Sequence, residues 1–336
     1  MLKNIREKLR LTKLKKYKNE NKIMFLLSPD HGNLGDQMIA VATKKLLEDK
    51  YTDKKIIEVT RKSYIKNKRI IKNIISEGDI VILPGGGNLG DVWFGEEVSR
   101  REILSDYRKN HIIIMPQTIK FISEKEKNIS KDIYSKVENL TIVAREEESF
   151  KLGKEIFSKN KILLSPDSVF YLEDTYTKKL SKNRDGAIFL MRQDQEKIID
   201  SHVVEKIKGK FKLENITYKI SDTVIKSKGK INFKNREEIC LNLLKEISKH
   251  KLIITDRLHG MIFGIITNTP VIVFGSSTPK TRGTLKWISH LDYVSYIEDS
   301  NDFKVIEKEI KRLMNLKVIK KGYIIKEKLK DVFKNL

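Results

Sequence analysis

The segment TDRLHG, Thr255–Gly260, sets an acid, a guanidinium and an imidazole side by side where one apolar run, KLIIT, ends and another, LHGMIFGIITN, begins. Arg257 offers a planar fork that suits a carboxylate or a phosphate. His259 can gain or lose a proton near neutrality. After the next apolar run, PVIVFG, come Lys280, Arg282 and Lys286, cations on a loop that faces the same place, some of them there only for solubility. Upstream, Arg145 closes LTIVAR ahead of Glu146–Glu148, and Asp167 follows KILLSP. The pentapeptide GNLGD occurs twice, as Gly32–Asp36 and Gly87–Asp91, each time behind an apolar run. Together these residues can bind a small anion, give it a proton, and take a proton from a hydroxyl.

Several of these positions carry a plainer reading as well. Asp36 can cap the helix that follows it, Asp91 can stabilise its own turn, Arg145 can pair with the acidic residues after it, and Asp167 can cap a turn. The second glycine loop, Gly85, Gly87 and Gly90, formally fits G-x-G-x-x-G. A dinucleotide site also needs an acid at the end of the next strand. That strand, HIIIMPQ, ends in Met115, Pro116 and Gln117, so a nicotinamide cofactor is not expected. The chain has no H-E-x-x-H, D-x-D, P-loop or G-x-S-x-G pattern, and a tightly held metal is not indicated.

The elements that must position these residues follow from periodicity. KIMFLLS, KKIIEVT, DIVILPGG, HIIIMPQ, LTIVAR and KILLSPD read as strands, separated by helical stretches such as DQMIAVATKKLLEDK. GAIFLMR, LENITYKIS, KLIITDR and PVIVFG repeat the grammar, with helices over about 195–209, in NREEICLNLLKEISKH and in LHGMIFGIITN. Strand and helix in alternation specify parallel sheets covered on both faces. The chain divides into a basic segment 1–21, a Rossmann-like domain 22–172, a polar linker 173–186, a second Rossmann-like domain 187–302 and a helical tail 303–336 that folds back over the first domain. In such sheets ligands sit beyond the carboxyl ends of the strands. Every residue singled out above falls there. Asn33 and Asp36 of the first loop, and Gly86, Gly87 and Asn88 of the second, are expected on the rim of a cleft between the domains, with Asp91 as base.

Length and composition bound the answer. At 336 residues two domains are expected, and 39% hydrophobic residues suffice for packed cores. Sixty-eight Lys and Arg against 45 Asp and Glu give a net charge of +23, which invites phosphate, anionic lipid or nucleic acid. Cys240 is the only cysteine, at helical spacing, so no intrachain disulfide or Cys-based zinc site forms, and a reducing cytoplasm fits best. No apolar run is long enough to cross a membrane. The N-terminal segment reads as a weakly amphipathic basic helix with Leu2, Ile5, Leu9 and Leu14 along one stripe, suited either to an anionic membrane face or to solvent.

HGNLGDQMI, PGGGNLGDVW, IMPQTI, VAREEES, SPDSVF and TDRLHGMIFGIITNTPVIVFG, in that order over about residues 22–290, resemble the polysaccharide pyruvyl transferases, in particular the bacterial exopolysaccharide-type members. The resemblance implies a GT-B-like pair of Rossmann-type domains with the site between them. It implies phosphoenolpyruvate as donor substrate, no separate cofactor, and a saccharide acceptor that receives a pyruvate ketal. The family's donor-binding Arg-Leu-His falls on Arg257, Leu258 and His259, and its other donor-side Arg on Arg145. The acid of its glycine-rich region falls on Asp91 or Asp36. With such a donor, His259 would act as general acid and Asp91 as the base or sugar orienter, with Lys280 and Arg282 adding charge on the donor side. A nucleotide-sugar glycosyltransferase on the same architecture is one alternative. A basic nucleic-acid binder is another, opposed by an aromatic content of only 8%. A cytoplasmic protein working at the inner face of the plasma membrane, on an acceptor that is lipid-linked or free, fits the whole.

Overall fold

In a computed structural model the chain is described over residues 2–192, 199–225, 231–275, 280–316 and 324–334. The first lobe comprises α1 (Leu2–Leu14), β1 (Lys22–Ser28), α2 (Leu34–Lys50), β2 (Lys55–Thr60), α3 (Arg61–Lys72), β3 (Ile80–Leu83) and β4 (Gly86–Leu89). It continues through α4 (Phe94–Asp106), β5 (His111–Ile119), α5 (Glu124–Tyr134), β6 (Asn139–Ala144), α6 (Glu147–Ile156) and β7 (Lys161–Leu164). The second lobe runs through β8 (Ala187–Leu190), α7 (Ser201–Leu213), β9 (Tyr218–Ser221), α8 (Arg236–Ile247), β10 (Leu252–Thr255) and α9 (Leu258–Thr267). After these come β11 (Val271–Phe274), α10 (Lys280–Ile288), β12 (Val294–Ile297), α11 (Phe303–Met314) and α12 (Ile324–Lys334). The helix expected over 195–209 starts later, at Ser201, its first residues lying outside the described ones.

Both sheets are parallel. The first has the order β2-β1-β3-β5-β6-β7 with β4 added against β5; the second has the order β12-β11-β10-β8-β9. In each, the chain adds one strand to one side and then crosses back: between β1 and β3 in the first sheet, between β8 and β10 in the second. These switch points open crevices at the carboxyl ends of the strands. Both GNLGD loops therefore belong to one crevice, since they follow the neighbouring strands β1 and β3. Strand β1 carries every residue buried and leaves its ladder with Leu27 at φ +58°, a left-handed conformation that turns the chain out of the sheet just before the first loop.

The two lobes share material. One apolar cluster runs from Phe25, Met38 and Ile39 of the first lobe to Met261, Ile262 and Phe263 of the second. Arg236 of α8, 3% exposed, reaches Glu58 at 2.7 Å and donates to the Ser28 hydroxyl at 3.0 Å. Trp287 of α10 donates its indole N–H to the Arg145 carbonyl at 2.9 Å. The stretch expected as linker is packed rather than loose: Tyr176 is buried and its hydroxyl donates to Glu237 at 3.1 Å.

The termini sort the sequence expectations. Helix α1 lies on α3 and buries Leu11, while Ile5 and Leu9, half of the expected stripe, face outward. The tail does fold back. Helix α11 stays on the second lobe, but α12 crosses to the first, burying Ile325, Leu329 and Phe333 against the short helical turn Ser168–Leu172. Its first turn meets Glu173, which accepts the Lys326 N–H at 3.2 Å.

Burial raises the Glu173 carboxyl to about 8, with the Lys326 N–H opposing and Asp174 adding to the rise. A folded-state pKa above the unfolded one means that the folded chain holds the proton more tightly. The stabilising contribution is complete below the ordinary carboxylate range and is lost as pH rises towards about 8. Glu173→Gln removes that ionisation while keeping an acceptor for Lys326. We predict that the urea midpoint of Glu173→Gln gains progressively on wild type between about pH 5 and 8. Parallel pH dependence of the two proteins would contradict the burial assigned here.

Candidate functional site

Between the lobes lies a cavity of about 620 Å³. Its lining reads as a list of strand ends. His31, Asn33 and Asp36 follow β1; Gly87 and Asn88 follow β3; Arg145 follows β6; Arg192 follows β8. Thr223 and Val224 follow β9, Arg257, Leu258 and His259 follow β10, and Lys280 opens α10. Trp93 and Glu96 complete the wall. Cations dominate the side built by Arg145, Arg192, Arg257, His259 and Lys280. Among the described residues, the acids of the lining are Asp36 and Glu96, both of the first lobe.

The Asp167 carboxylate organises the cationic side. It is 1% exposed, and one oxygen accepts the Val169 N–H at 3.0 Å, so the turn-capping reading is met. The other accepts from Arg145 Nη1 at 2.9 Å and stands 3.7 Å from His259 Nε2. Burial alone would raise this carboxyl, but His259, then Arg145, and the Val169 N–H bring it down to about 2. It stays ionised, with Arg145 of its own lobe and the His259 ring of the other both turned towards it. Arg145, itself 2% exposed, also donates from Nε to Thr118 at 2.8 Å and lies 3.4 Å from Glu146. Of the acids that follow it, Arg145 thus pairs with Glu146, and its Nη2 is left beside Gly87 at the cavity wall.

His259 is fixed from both sides. Nε2 is buried towards Asp167. The Nδ1 edge lies on Gly35, where a Cβ would come within 2.2 Å of the ring nitrogen, so only glycine leaves room for the imidazole. The same loop admits the second lobe once more: a Cβ on Gly32 would stand 1.9 Å from the Ile225 carbonyl oxygen. Ile225 donates to the Gly32 carbonyl at 2.8 Å and Leu34 donates to that of Thr223 at 2.7 Å. The first GNLGD copy is thus a backbone joint between lobes. Within it Asn33 caps α2, accepting the Gly35 N–H at 3.0 Å, and its amide donates to Asp36 at 2.8 Å. Asp36 lies in the first turn of α2 rather than at its cap.

Arg257 is held as a fork by Asp222, with Nε 2.7 Å and Nη2 3.0 Å from the two carboxylate oxygens. Its N–H donates to Thr255 at 3.0 Å, which sets the turn from β10 into α9. Neighbouring Asp256 accepts the Arg192 N–H at 2.8 Å and so ties together the two strand ends at the second switch point.

The second GNLGD copy rests on a buried network. Glu97, fully buried, accepts the Gly90 N–H at 3.2 Å, the Ser130 hydroxyl at 2.6 Å and the Tyr134 hydroxyl at 3.0 Å, and pairs with Arg100. Arg100 in turn donates to the Asn88 side-chain oxygen at 2.7 Å, as Gln117 does at 3.0 Å. Burial would raise the Glu97 carboxyl, but Arg100 and the three donors leave it below its ordinary value. The oxygen of Asn88 is thereby committed inward.

Four residues expected at the cleft, Asp91, Arg282, Lys286 and Gly86, are not in the cavity lining. Asp91 does not line the cavity: its oxygens each accept a main-chain N–H, from Ile122 and Ser123, both at 2.7 Å, so it fastens a loop. Arg282 points away from the cavity, 62% exposed, paired with Glu298 and donating to the Tyr296 hydroxyl at 3.1 Å. Lys286 likewise serves Glu147 at 2.6 Å. Gly86, at φ +134°, shapes the loop from behind the lining, near Asp36. Sequence reasoning missed Arg192, Asp222, Glu96, Trp93 and His31. The first two were detectable as charged residues closing strands β8 and β9.

The chain matches the family model for polysaccharide pyruvyl transferase over residues 33–278. General stress protein 30 of Bacillus subtilis is 36% identical over 303 residues, covering 88% of this chain and 86% of that protein. Pyruvyl transferase 1 of Schizosaccharomyces pombe is 26% identical over 295 residues, covering 84% and 74%. Among solved structures, a protein of uncharacterised function from Klebsiella pneumoniae superposes with a TM-score of 0.59 at 22% identity, over 87% of this chain and 98% of that one. UDP-GlcNAc 2-epimerase from Methanocaldococcus jannaschii superposes at 0.51 and 13% identity, over 94% and 100%, a likeness of the GT-B-like fold alone. With switch-point crevices facing each other, a cation-lined cavity between them and a family match over most of its length, the chain belongs to the polysaccharide pyruvyl transferase family.

Proposed function

We propose that this protein moves the pyruvyl group of phosphoenolpyruvate onto two hydroxyls of a saccharide as a cyclic ketal. Pyruvyl transfer in polysaccharide biosynthesis is what the family supports; the donor, the ketal and the residue roles are our reading. The observation that carries it is the convergence of Arg145, Arg257, His259 and Lys280, from both lobes, on one cavity. A three-carbon molecule bearing a phosphate and a carboxylate needs several cations about one centre.

The chemistry requires a proton on the methylene carbon, which leaves an oxocarbenium-like centre. A sugar hydroxyl adds there, the carbon–phosphate oxygen bond breaks, inorganic phosphate leaves with a proton, and the second hydroxyl closes the ring. His259 is the general acid, oriented by Asp167 and Gly35. Arg257 and Arg145 hold phosphate and carboxylate and stabilise the developing charge. Since Asp91 is committed to its loop, the base role passes to Asp36, the other acid considered from the sequence, which faces the cavity. Release of inorganic phosphate rather than a nucleoside diphosphate separates this reading from a nucleotide-sugar transferase.

The outward stripe of α1, Ile5 and Leu9, with Ile65 of the adjoining α3 and their basic neighbours, suits contact with an anionic membrane that presents a lipid-linked acceptor. No helix among the described residues is long and apolar enough to cross a membrane.

Incubation with phosphoenolpyruvate and cell-envelope glycan precursors is predicted to add a pyruvyl group, read by mass spectrometry, with stoichiometric phosphate release. His259→Ala lowers the rate by about 10²–10⁴; near wild-type turnover removes the acid assignment. Asp167→Asn lowers kcat without weakening phosphoenolpyruvate binding, because it disorients the imidazole yet takes a negative charge from the donor side. Equal loss in binding and in kcat would make Asp167 merely structural. Ile5→Asp with Leu9→Asp is predicted to reduce co-sedimentation with phosphatidylglycerol vesicles, and unchanged binding rejects the membrane contact.

A further inference from the structure

Trp93 is 46% exposed although it lines the cavity, and its neighbours Val92, Phe94 and Val98 are exposed as well. An indole left in water is unusual, and this one is held there deliberately. It ends the turn Asp91–Trp93, entered through Gly90 at φ +117°. Glu97 fixes the N–H of Gly90, and Asp91 fastens the turn to the loop at Ile122 and Ser123. Asp91 thus anchors the turn that carries Trp93.

The acids among the described lining residues, Asp36 and Glu96, come from the same lobe as the indole and lie close enough for the Asp36 charge to act on Glu96. Glu96, in the first turn of α4, lies 3.3 Å from Arg61, whose Nη2 also donates to the Gly95 carbonyl at 2.7 Å. Burial raises the Glu96 carboxyl above its ordinary value, with Arg61 opposing. Asp36 is held by Asn33 and lies 3.7 Å from His31. An anionic donor is repelled by these two carboxylates and drawn to Arg145, Arg257 and Lys280. What fits an aromatic face flanked by two carboxylates is an uncharged ring with an apolar face and a hydroxyl rim.

Resting on the pyruvyl-transfer reading, we propose that Trp93, Glu96 and Asp36 form the acceptor subsite, in which the indole stacks on the face of a saccharide ring and the carboxylates receive its hydroxyls. The cavity is then divided by charge: donor against the cations, acceptor against the indole, with the reacting centre between. Of the 620 Å³ available, a three-carbon donor occupies only part.

The test is saturation-transfer NMR with a panel of methyl hexopyranosides and methyl N-acetylhexosaminides, run on wild type, Trp93→Ala, Trp93→Phe and Glu96→Gln. Phosphoenolpyruvate binding by calorimetry serves as the fold control. We expect transfer to the ring C–H protons in wild type, an affinity loss of about tenfold in Trp93→Ala, substantial retention in Trp93→Phe, and unchanged donor affinity in all three variants. Saccharide binding that is indifferent to Trp93, or no transfer to any sugar of the panel, overturns the subsite. So does displacement of the sugars by uridine diphosphate or by lipid vesicles, which would give the indole to a base or an acyl chain. If wild type neither binds phosphoenolpyruvate nor transfers pyruvyl, the donor reading fails by itself, while Trp93-dependent sugar binding still supports the subsite.

Discussion

A single buried carboxylate, that of Asp167, sets the terms for the rest of the site. It comes from the end of the first sheet, binds a guanidinium of its own lobe and faces an imidazole of the other. A buried charge is tolerated only when paired, and breaking such a pair by removing one partner costs about 3–5 kcal/mol. The lobes are therefore held at a spacing that keeps this carboxylate served from both sides. Gly35 and Gly32 permit that spacing by leaving out the side chains that would meet His259 and Ile225. Trp287 and Arg236 fix it elsewhere along the interface.

The arrangement divides labour between structure and chemistry. Asp222 clamps Arg257, Asp256 holds the Arg192 backbone, and the Glu97–Arg100 pair holds the second glycine loop. These acids neutralise part of the positive charge and orient the remainder. The large net charge of the chain is mostly a property of its surface. The cavity lining combines the cations Arg145, Arg192, Arg257 and Lys280 with the acids Asp36 and Glu96, so it can serve both an anion and a polyol.

Much of this was legible in the sequence because it depends on local pattern. Alternating strands and helices give two parallel sheets, and strand ends give Arg145, Arg257, His259 and Lys280 a common neighbourhood. The ordered motifs identify the family. What could not be read is pairing at a distance. Nothing near Asp91 in the chain says that Ile122 and Ser123 will occupy it, so the more glycine-rich loop looked like the better place for a base. Arg282 shares its cationic segment with Lys280, but two residues along a helix is a rotation of about 200°, which separates facing the cavity from facing solvent. Asp222 is legible as a charge closing β9, but not as the clamp on Arg257, 35 residues further along the chain. The N-terminal helix packs through Leu11, which lies off the stripe expected from the sequence, and through Leu14 at the end of that stripe, while Ile5 and Leu9 face outward.

The roles proposed for the cavity residues depend on where the donor binds. A crystal structure of the protein with phosphoenolpyruvate gives the most direct measurement. The account predicts the molecule between the lobes, phosphate and carboxylate shared by Arg145 and Arg257, with its methylene carbon towards the His259 ring. Phosphoenolpyruvate bound away from that cavity, or within it but out of reach of His259, would contradict it.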